Sequence, residues 1–314
     1  MEPTFLVNGS VLSAFLARSV PTDVAADKWP TDAPSVTSQA RAVAEGILAD
    51  VRQVPGLAVV QIDPDGLDDH ELCTAAWNLF TSLCAPVPQY RTGELMCMVE
   101  IASDVPTVSH YSGSSRSGGH HTDGTLLPDP PEIAALLGLS AADTGGETIT
   151  MSGPALWSQL DPAHQATFAR PHHFDVMGQI PGLTTRKQPI AQWGGDNSFQ
   201  LRYLRRYIED GYETVGERLP DDLRAAMDAF DRISADETNQ TPVLLRRGVI
   251  LLWNNLRMLH GRRAFTEGTS RRRLRRMYGK FVAARTVNVD VEVVHVHLPA
   301  DEVADGLSVD KRGG

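Results

Sequence analysis

Apolar residues recur at helical spacing twice near the start of the chain. Over residues 37–53 they fall at Ala40, Val43, Ile47 and Val51, and over residues 68–83 at Leu72, Ala75, Ala76, Leu79 and Leu83. Each segment is therefore expected to bury one face of a helix. Ser38 and Asp68, polar residues of the kind that cap helices, stand at the two starts. Between them residues 56–62 form a short β-branched run closed by Asp63-Pro64-Asp65-Gly66, a pattern that predicts a strand followed by a turn. The opening reads helix, strand, helix.

From residue 94 the cadence changes. Short apolar runs at 95–101, 133–139, 147–151, 243–245, 249–253, 277–282 and 287–296 are separated by Gly, Pro and Ser clusters, the rhythm of a β-sandwich or barrel. Residues 161–240 interrupt the series. They carry a Gly-rich loop, Gln192-Trp193-Gly194-Gly195-Asp196-Asn197, and helical stretches over 202–212 and 221–235. An insert inside a strand series is expected to act as a lid over the barrel mouth. No internal repeat or low-complexity tract is visible.

At 314 residues the chain can bury a sizeable core without disulfide staples. Its three cysteines, Cys73, Cys84 and Cys97, form no C-x-x-C spacing, and an odd number argues against a secreted disulfide framework. The first residues lack a basic start and a small-residue cleavage site, and no apolar run approaches membrane-spanning length. A soluble, unprocessed cytoplasmic protein is expected. The net charge of -10 disfavours a nucleic-acid binder, which needs a basic face. Arginines nevertheless crowd residues 262–276, marking a local anion site or a basic surface strand.

In Gly118-Gly119-His120-His121-Thr122-Asp123-Gly124 an imidazole and a carboxylate lie two residues apart, so on an extended chain His121 and Asp123 share a face. His260 supplies a second imidazole just past an apolar run. Two histidines and one carboxylate make the facial triad of non-haem iron(II) oxygenases, which leaves positions for a bidentate co-substrate and dioxygen. An H-x-D pair alone arises often by chance. Its weight here comes from Gly145-Gly146-Glu147-Thr148 downstream and from Arg272-Arg273-Leu274-Arg275-Arg276 after His260. The planar fork of arginine suits the distal carboxylate of 2-oxoglutarate. His120 would face away from Asp123, and His172, His173, His295 and His297 have no ligand partner at a recognisable spacing. There is no G-x-S-x-G elbow, and the loop at Gly194 lacks the Lys-Ser/Thr of a phosphate loop.

These motifs, with Trp253-Asn254-Asn255 and His260-Gly261-Arg262, resemble the taurine dioxygenase and clavaminate synthase-like superfamily of Fe(II)/2-oxoglutarate-dependent oxygenases. The resemblance runs from about residue 56 to 281. It implies an α+β fold with a double-stranded β-helix (jelly-roll) core flanked by helices. The organisation expected is one domain over 1–314: a flank at 1–90, the core at 91–160 and 241–298, and an inserted lid at 161–240. It also implies Fe(II), 2-oxoglutarate and O2 as cofactor and co-substrates. His121, Asp123 and His260 match the iron ligands, Thr148 and Arg272 the co-substrate contacts, and Arg276 a second arginine reaching co-substrate or substrate.

In that register Leu274 joins Arg272 and Arg276 inside, while Arg271, Arg273 and Arg275 face solvent; a one-residue slip would reverse the faces. Trp193, Asp196 and Arg202 of the insert are expected substrate contacts. The resemblance points to a small-molecule substrate, anionic or amino-acid-like, in specialised metabolism such as natural product biosynthesis. With Asp123 in the carboxylate position, hydroxylation, desaturation or epoxidation is expected rather than halogenation, with release of succinate and CO2. No nucleic acid or membrane partner is expected, and a homodimer is left open. Two alternatives stand beside this reading. A cupin-like metal-binding protein without turnover would leave Thr148 and Arg272 without a role, and a zinc hydrolase would need a general base near an open water position.

Overall fold

The periodicity at residues 37–53 and 68–83 becomes two fifteen-residue helices in the computed structural model, which describes residues 1–21, 29–90, 92–100, 118–193 and 198–282. The expected strand at 287–296, with His295, the following His297, and the loop residues 194–197, with Asp196, lie outside the described residues. In chain order the elements begin with β1 (Phe5–Val7), α1 (Gly9–Leu16), α2 (Ser38–Arg52), β2 (Leu57–Ile62), α3 (Asp69–Leu83), β3 (Ala85–Pro86), β4 (Met96–Val99) and β5 (Gly118–His121). There follow β6 (Ile133–Ser140), β7 (Thr144–Gly145), β8 (Thr148–Ser152), α4 (Gly153–Ser158) and α5 (Pro162–Phe168). Next come β9 (Pro171–Asp175), β10 (Thr185–Pro189), β11 (Ala191–Trp193), β12 (Phe199–Leu201), α6 (Arg205–Thr214) and α7 (Asp221–Ala235). The series ends with β13 (Thr241–Val243), β14 (Val249–Asn254), β15 (Met258–Arg262), β16 (Phe265–Thr266) and β17 (Arg273–Lys280).

The strands make a sandwich of the jelly-roll kind. One sheet has the order β1-β2-β14-β6-β17-β3, with β4 also paired to β17; the other is β13-β8-β15-β5. Alternation along each strand sorts its side chains between two environments. On β14, Ile250 and Leu252 pack outward against the helices, while Val249, Leu251 and Trp253 point between the sheets. On β6 the split is Ile133, Ala135, Leu137 and Leu139 against Ala134 and Leu136. Three buried clusters result. One lies under α1, α2 and α3, one lies inside the sandwich, and the third joins the outer face of the four-stranded sheet to the segment 161–240.

Local signals explain most helix ends. Asp68 closes a capping box with Glu71 at the start of α3. At α2 the cap is Thr37, not Ser38: its hydroxyl accepts from the Ala40 amide, and Ser38 is already helical. The short α1, and β1 lying parallel to β2, escaped the pattern because eight residues are too few for an apolar period to stand out.

A second correction concerns the arginine strand. Arg271 is exposed as expected, but Arg273 and Arg275 are only half-exposed, because the face they occupy is covered by α3. Arg273 pairs with Asp69 at 2.9 Å, and Arg275 meets the Cys73 thiol. Period two placed them on the right face, while the helix above decided that it is not water. Among the described residues no helix is long and apolar enough to cross a membrane.

Candidate metal centre

His121 is the last residue of β5 and pairs directly across from His260 on β15, so the two rings meet inside the sandwich with centroids 4.2 Å apart. Asp123 sits beyond the strand end rather than on it. There Thr122 bonds to Tyr203 instead of to β15: its amide donates to the Tyr203 carbonyl at 2.9 Å and its hydroxyl accepts the Tyr203 amide at 3.1 Å. Asn255, in the turn between β14 and β15, then captures the Asp123 backbone. Its Oδ1 accepts the Asp123 amide at 2.8 Å, and its Nδ2 donates to the carbonyls of Asp123 (2.9 Å) and Pro131 (2.8 Å). The carboxylate is thereby swung toward both imidazoles, with Oδ1 3.9 Å from His121 Nε2 and Oδ2 3.6 Å from His260 Nε2.

Ligand atoms of the three residues all lie within 4.8 Å of one another. Burial pushes the His260 imidazole down to about 3, against the pull of Asp123, so the ring is neutral and offers a lone pair. Burial alone would raise the Asp123 carboxyl, but His260, Arg276 and His121 together hold it below its ordinary value. His121 Nδ1 lies 2.9 Å from the Gly119 carbonyl; donating there makes Nε2 the nitrogen that would bind a metal. Asp123 Oδ2 and Thr148 Oγ1 are buried with no hydrogen-bond partner among the described residues. Orphaned acceptors of this sort need a ligand to satisfy them, and the set of two imidazoles and one carboxylate fits iron(II).

A cavity of about 340 Å³ opens beside these residues. Thr148 on β8 lies across from Arg262 on β15, and Arg272, Leu274, Arg276 and Tyr278 line the same cavity. The period-two face of β17, continued by the residue just before it, therefore carries Arg276 and Arg272 inward. The Gly145-Gly146 pair makes room for this. Both have positive φ, a Cβ on Gly145 would meet the Ala264 carbonyl oxygen at 2.2 Å, and one on Gly146 would crowd the Arg272 side chain at 3.2 Å. Arg272 is buried, donates from Nε to the Gly146 carbonyl at 3.2 Å, and is lowered to about 10 by burial and by neighbouring Arg262.

The insert reaches the cavity less than expected. Trp193 stands on the surface, 49% exposed, with its ring 5.0 Å from Phe199, and does not line the cavity. Arg202 is a brace: Nη1 donates to the Leu127 carbonyl at 2.7 Å and Nη2 to that of Pro128 at 3.3 Å, holding the loop that forms one wall. Instead, Arg206 and Tyr207 at the start of α6 face the cavity. His120 turns to the other side of β5, where Nδ1 meets Ser234 Oγ at 3.0 Å. His172 is engaged by Tyr212 and the Thr167 carbonyl, away from the metal group.

Several cavity residues were not singled out from sequence. Tyr278 could have been, since it follows Arg276 at strand period. Gln89 and Tyr90, which bind Arg276 from 187 and 186 residues away, carry no local signal. Asn255 was visible only as part of a motif. Asn255→Ala should cost about 3 kcal/mol, because it strands a buried amide and two carbonyls. A calorimetric melt and an iron titration check this: lower Tm with weakened iron binding is expected, and unchanged values would deny Asn255 its role.

Comparison with known proteins places this geometry. The family model "Taurine catabolism dioxygenase TauD, TfdA family" matches residues 48–278. The uridine-5'-phosphate dioxygenase of Amycolatopsis sp is 27% identical over 230 residues, 69% of this chain and 82% of that protein. FR-33289 synthase of Streptomyces rubellomurinus (strain ATCC 31215) is 28% identical over 156 residues, 48% of this chain. That match spans only 46% of the relative's length. Among solved structures, asparagine oxygenase in complex with Fe(II), 2S,3S-3-hydroxyasparagine and succinate superposes with a TM-score of 0.67 at 16% identity, covering 88% of this chain and 92% of that one. The non-heme iron oxygenase OrfP in complex with Fe and alpha-ketoglutaric acid superposes with a TM-score of 0.63 at 15% identity, covering 88% and 94%.

Proposed function

Because this chain belongs to the TauD/TfdA family and is an iron(II)- and 2-oxoglutarate-dependent dioxygenase, we propose that it oxidises a carbon of a small anionic substrate held by Arg276. In this reading His121, Asp123 and His260 hold the iron, and Thr148 and Arg272 hold the distal carboxylate of 2-oxoglutarate. Iron with 2-oxoglutarate and dioxygen supplies the oxidation of an unactivated C–H bond, with succinate and carbon dioxide released. The protein's own residues orient and exclude water. Trp253, 4.7 Å from the His260 ring, walls the centre on the inner side, and Leu136 and Leu274 provide an apolar floor.

The observation that carries the substrate class is how the basic residues of the cavity are partnered: Arg206 pairs with Asp210 and Lys280 with Asp129, whereas the side chains of Arg272 and Arg276 hydrogen-bond to neutral groups. The acceptors are a carbonyl for Arg272 and Gln89 with Tyr90 for Arg276. One positive charge answers to 2-oxoglutarate; the other calls for an anion on the substrate. Relatives named for uridine 5'-phosphate and for asparagine are in keeping with a phosphate or an amino-acid carboxylate. Hydroxylation is the reaction favoured, since Asp123 fills the carboxylate position of the triad.

Oxygen uptake and succinate formation, measured with iron, 2-oxoglutarate and panels of L-amino acids and nucleoside 5'-phosphates, test this. At least one anionic compound should stimulate both, and Arg276→Ala should remove the stimulation. Stimulation by neutral compounds alone, or its persistence in Arg276→Ala, would sink the reading.

A further inference from the structure

The side-chain hydrogen bonds of Arg276 run to neutral groups, while the Asp123 carboxylate acts on its charge from the metal group. Gln89, buried between β3 and β4, gives its Nε2 to the carbonyls of Leu95 (3.0 Å) and of Arg276 itself (2.7 Å). Those two acceptors dictate which end of the amide is nitrogen, so the oxygen is the atom that faces the guanidinium, accepting Nε–H at 2.7 Å. Tyr90 Oη accepts from Nη2 at 2.9 Å, and the Tyr278 ring lies 4.8 Å beneath the charge. Two of five N–H donors are thereby used, leaving three for a ligand. Gln89, Tyr90, Arg276 and Tyr278 all line the cavity of the metal centre.

A glutamate at position 89 would accept the same Nε–H with nearly the same shape, but it would cancel the charge. From this we infer that Gln89 is a specificity-determining residue: a neutral clamp that aims Arg276 while keeping its charge available to the anionic group of the substrate. The inference rests on the assignment of Arg276 to substrate binding made above. Its consequence is that the choice of amide over carboxylate at one position sets whether the site takes an anion.

Binding of inorganic phosphate, titrated calorimetrically under anaerobic conditions into enzyme loaded with iron(II) and saturating 2-oxoglutarate, reads this out. Gln89→Glu should weaken phosphate binding by roughly tenfold or more, as like-charge juxtaposition does at an interface. Gln89→Met, which removes the clamp without adding charge, should weaken it by clearly less. The 2-oxoglutarate affinity should be unchanged in both, since Arg272 is untouched. Tyr90 is 42% exposed, so Tyr90→Glu tolerates the change at the surface and should weaken phosphate binding in the same direction, whether or not Gln89→Glu folds. Equal losses in Gln89→Glu and Gln89→Met would reduce Gln89 to a packing role, and unaltered binding in Gln89→Glu and Tyr90→Glu would overturn the inference outright. Absence of phosphate binding in the unsubstituted enzyme, or binding that Arg276→Ala leaves intact, would instead overturn the substrate assignment of Arg276 on which it stands.

Discussion

Alanine at His121 or at His260 should leave an enzyme that neither retains iron nor turns over 2-oxoglutarate. Each imidazole supplies one of three protein ligand atoms gathered within 4.8 Å, and removing one leaves a two-point site for an ion that exchanges readily with water. Changes to groups behind metal ligands already cost about 10- to 100-fold; removal of a ligand itself should exceed that and bring turnover to background. Two readings check the result. Iron content after gel filtration should fall to baseline, and anaerobic addition of iron(II) and 2-oxoglutarate should no longer produce the weak visible charge-transfer band of a chelated complex. His120→Ala is the control, because its ring engages Ser234 on the far side of β5 and iron binding should survive. Full turnover and an intact band in both His121→Ala and His260→Ala would refute the ligand assignment.

Arg272→Ala should raise the 2-oxoglutarate requirement by orders of magnitude while sparing iron affinity. The side chain is 5% exposed, and its removal leaves the distal carboxylate with the Thr148 hydroxyl in a poorly solvated pocket. Losing one member of a buried, hydrogen-bonded charge pair costs about 2–5 kcal/mol, or roughly 30- to several thousand-fold in apparent affinity. The dependence of succinate formation on 2-oxoglutarate concentration measures it. Arg271→Ala should be silent, being exposed. Arg273→Ala and Arg275→Ala should leave 2-oxoglutarate binding alone but lower stability modestly, since they lie beneath α3 beside Asp69 and Cys73. A strong 2-oxoglutarate defect in Arg271→Ala or Arg275→Ala, with Arg272→Ala indifferent, would contradict the inward placement of Arg272.

The sequence by itself determined the elements and their faces. Apolar spacing located α2, α3, α7 and the main strands, and period two along β17 separated Arg272, Leu274 and Arg276 from Arg271, Arg273 and Arg275, because side-chain direction is set by local backbone geometry. Residue chemistry singled out His121, Asp123 and His260, which the fold then brings to one point. What covers each face was decided only in three dimensions. Arg273 and Arg275 lie under a helix rather than in water, and of the expected substrate contacts Trp193 stands on the surface while Arg202 braces a wall of the cavity from behind. Asp123 is aimed by Asn255 from 132 residues away, and Arg276 by Gln89 from 187. Hydrogen bonds of that span leave no periodic trace in a chain: each partner satisfies its own local pattern equally well without the other, and only the packing of the two sheets brings them together.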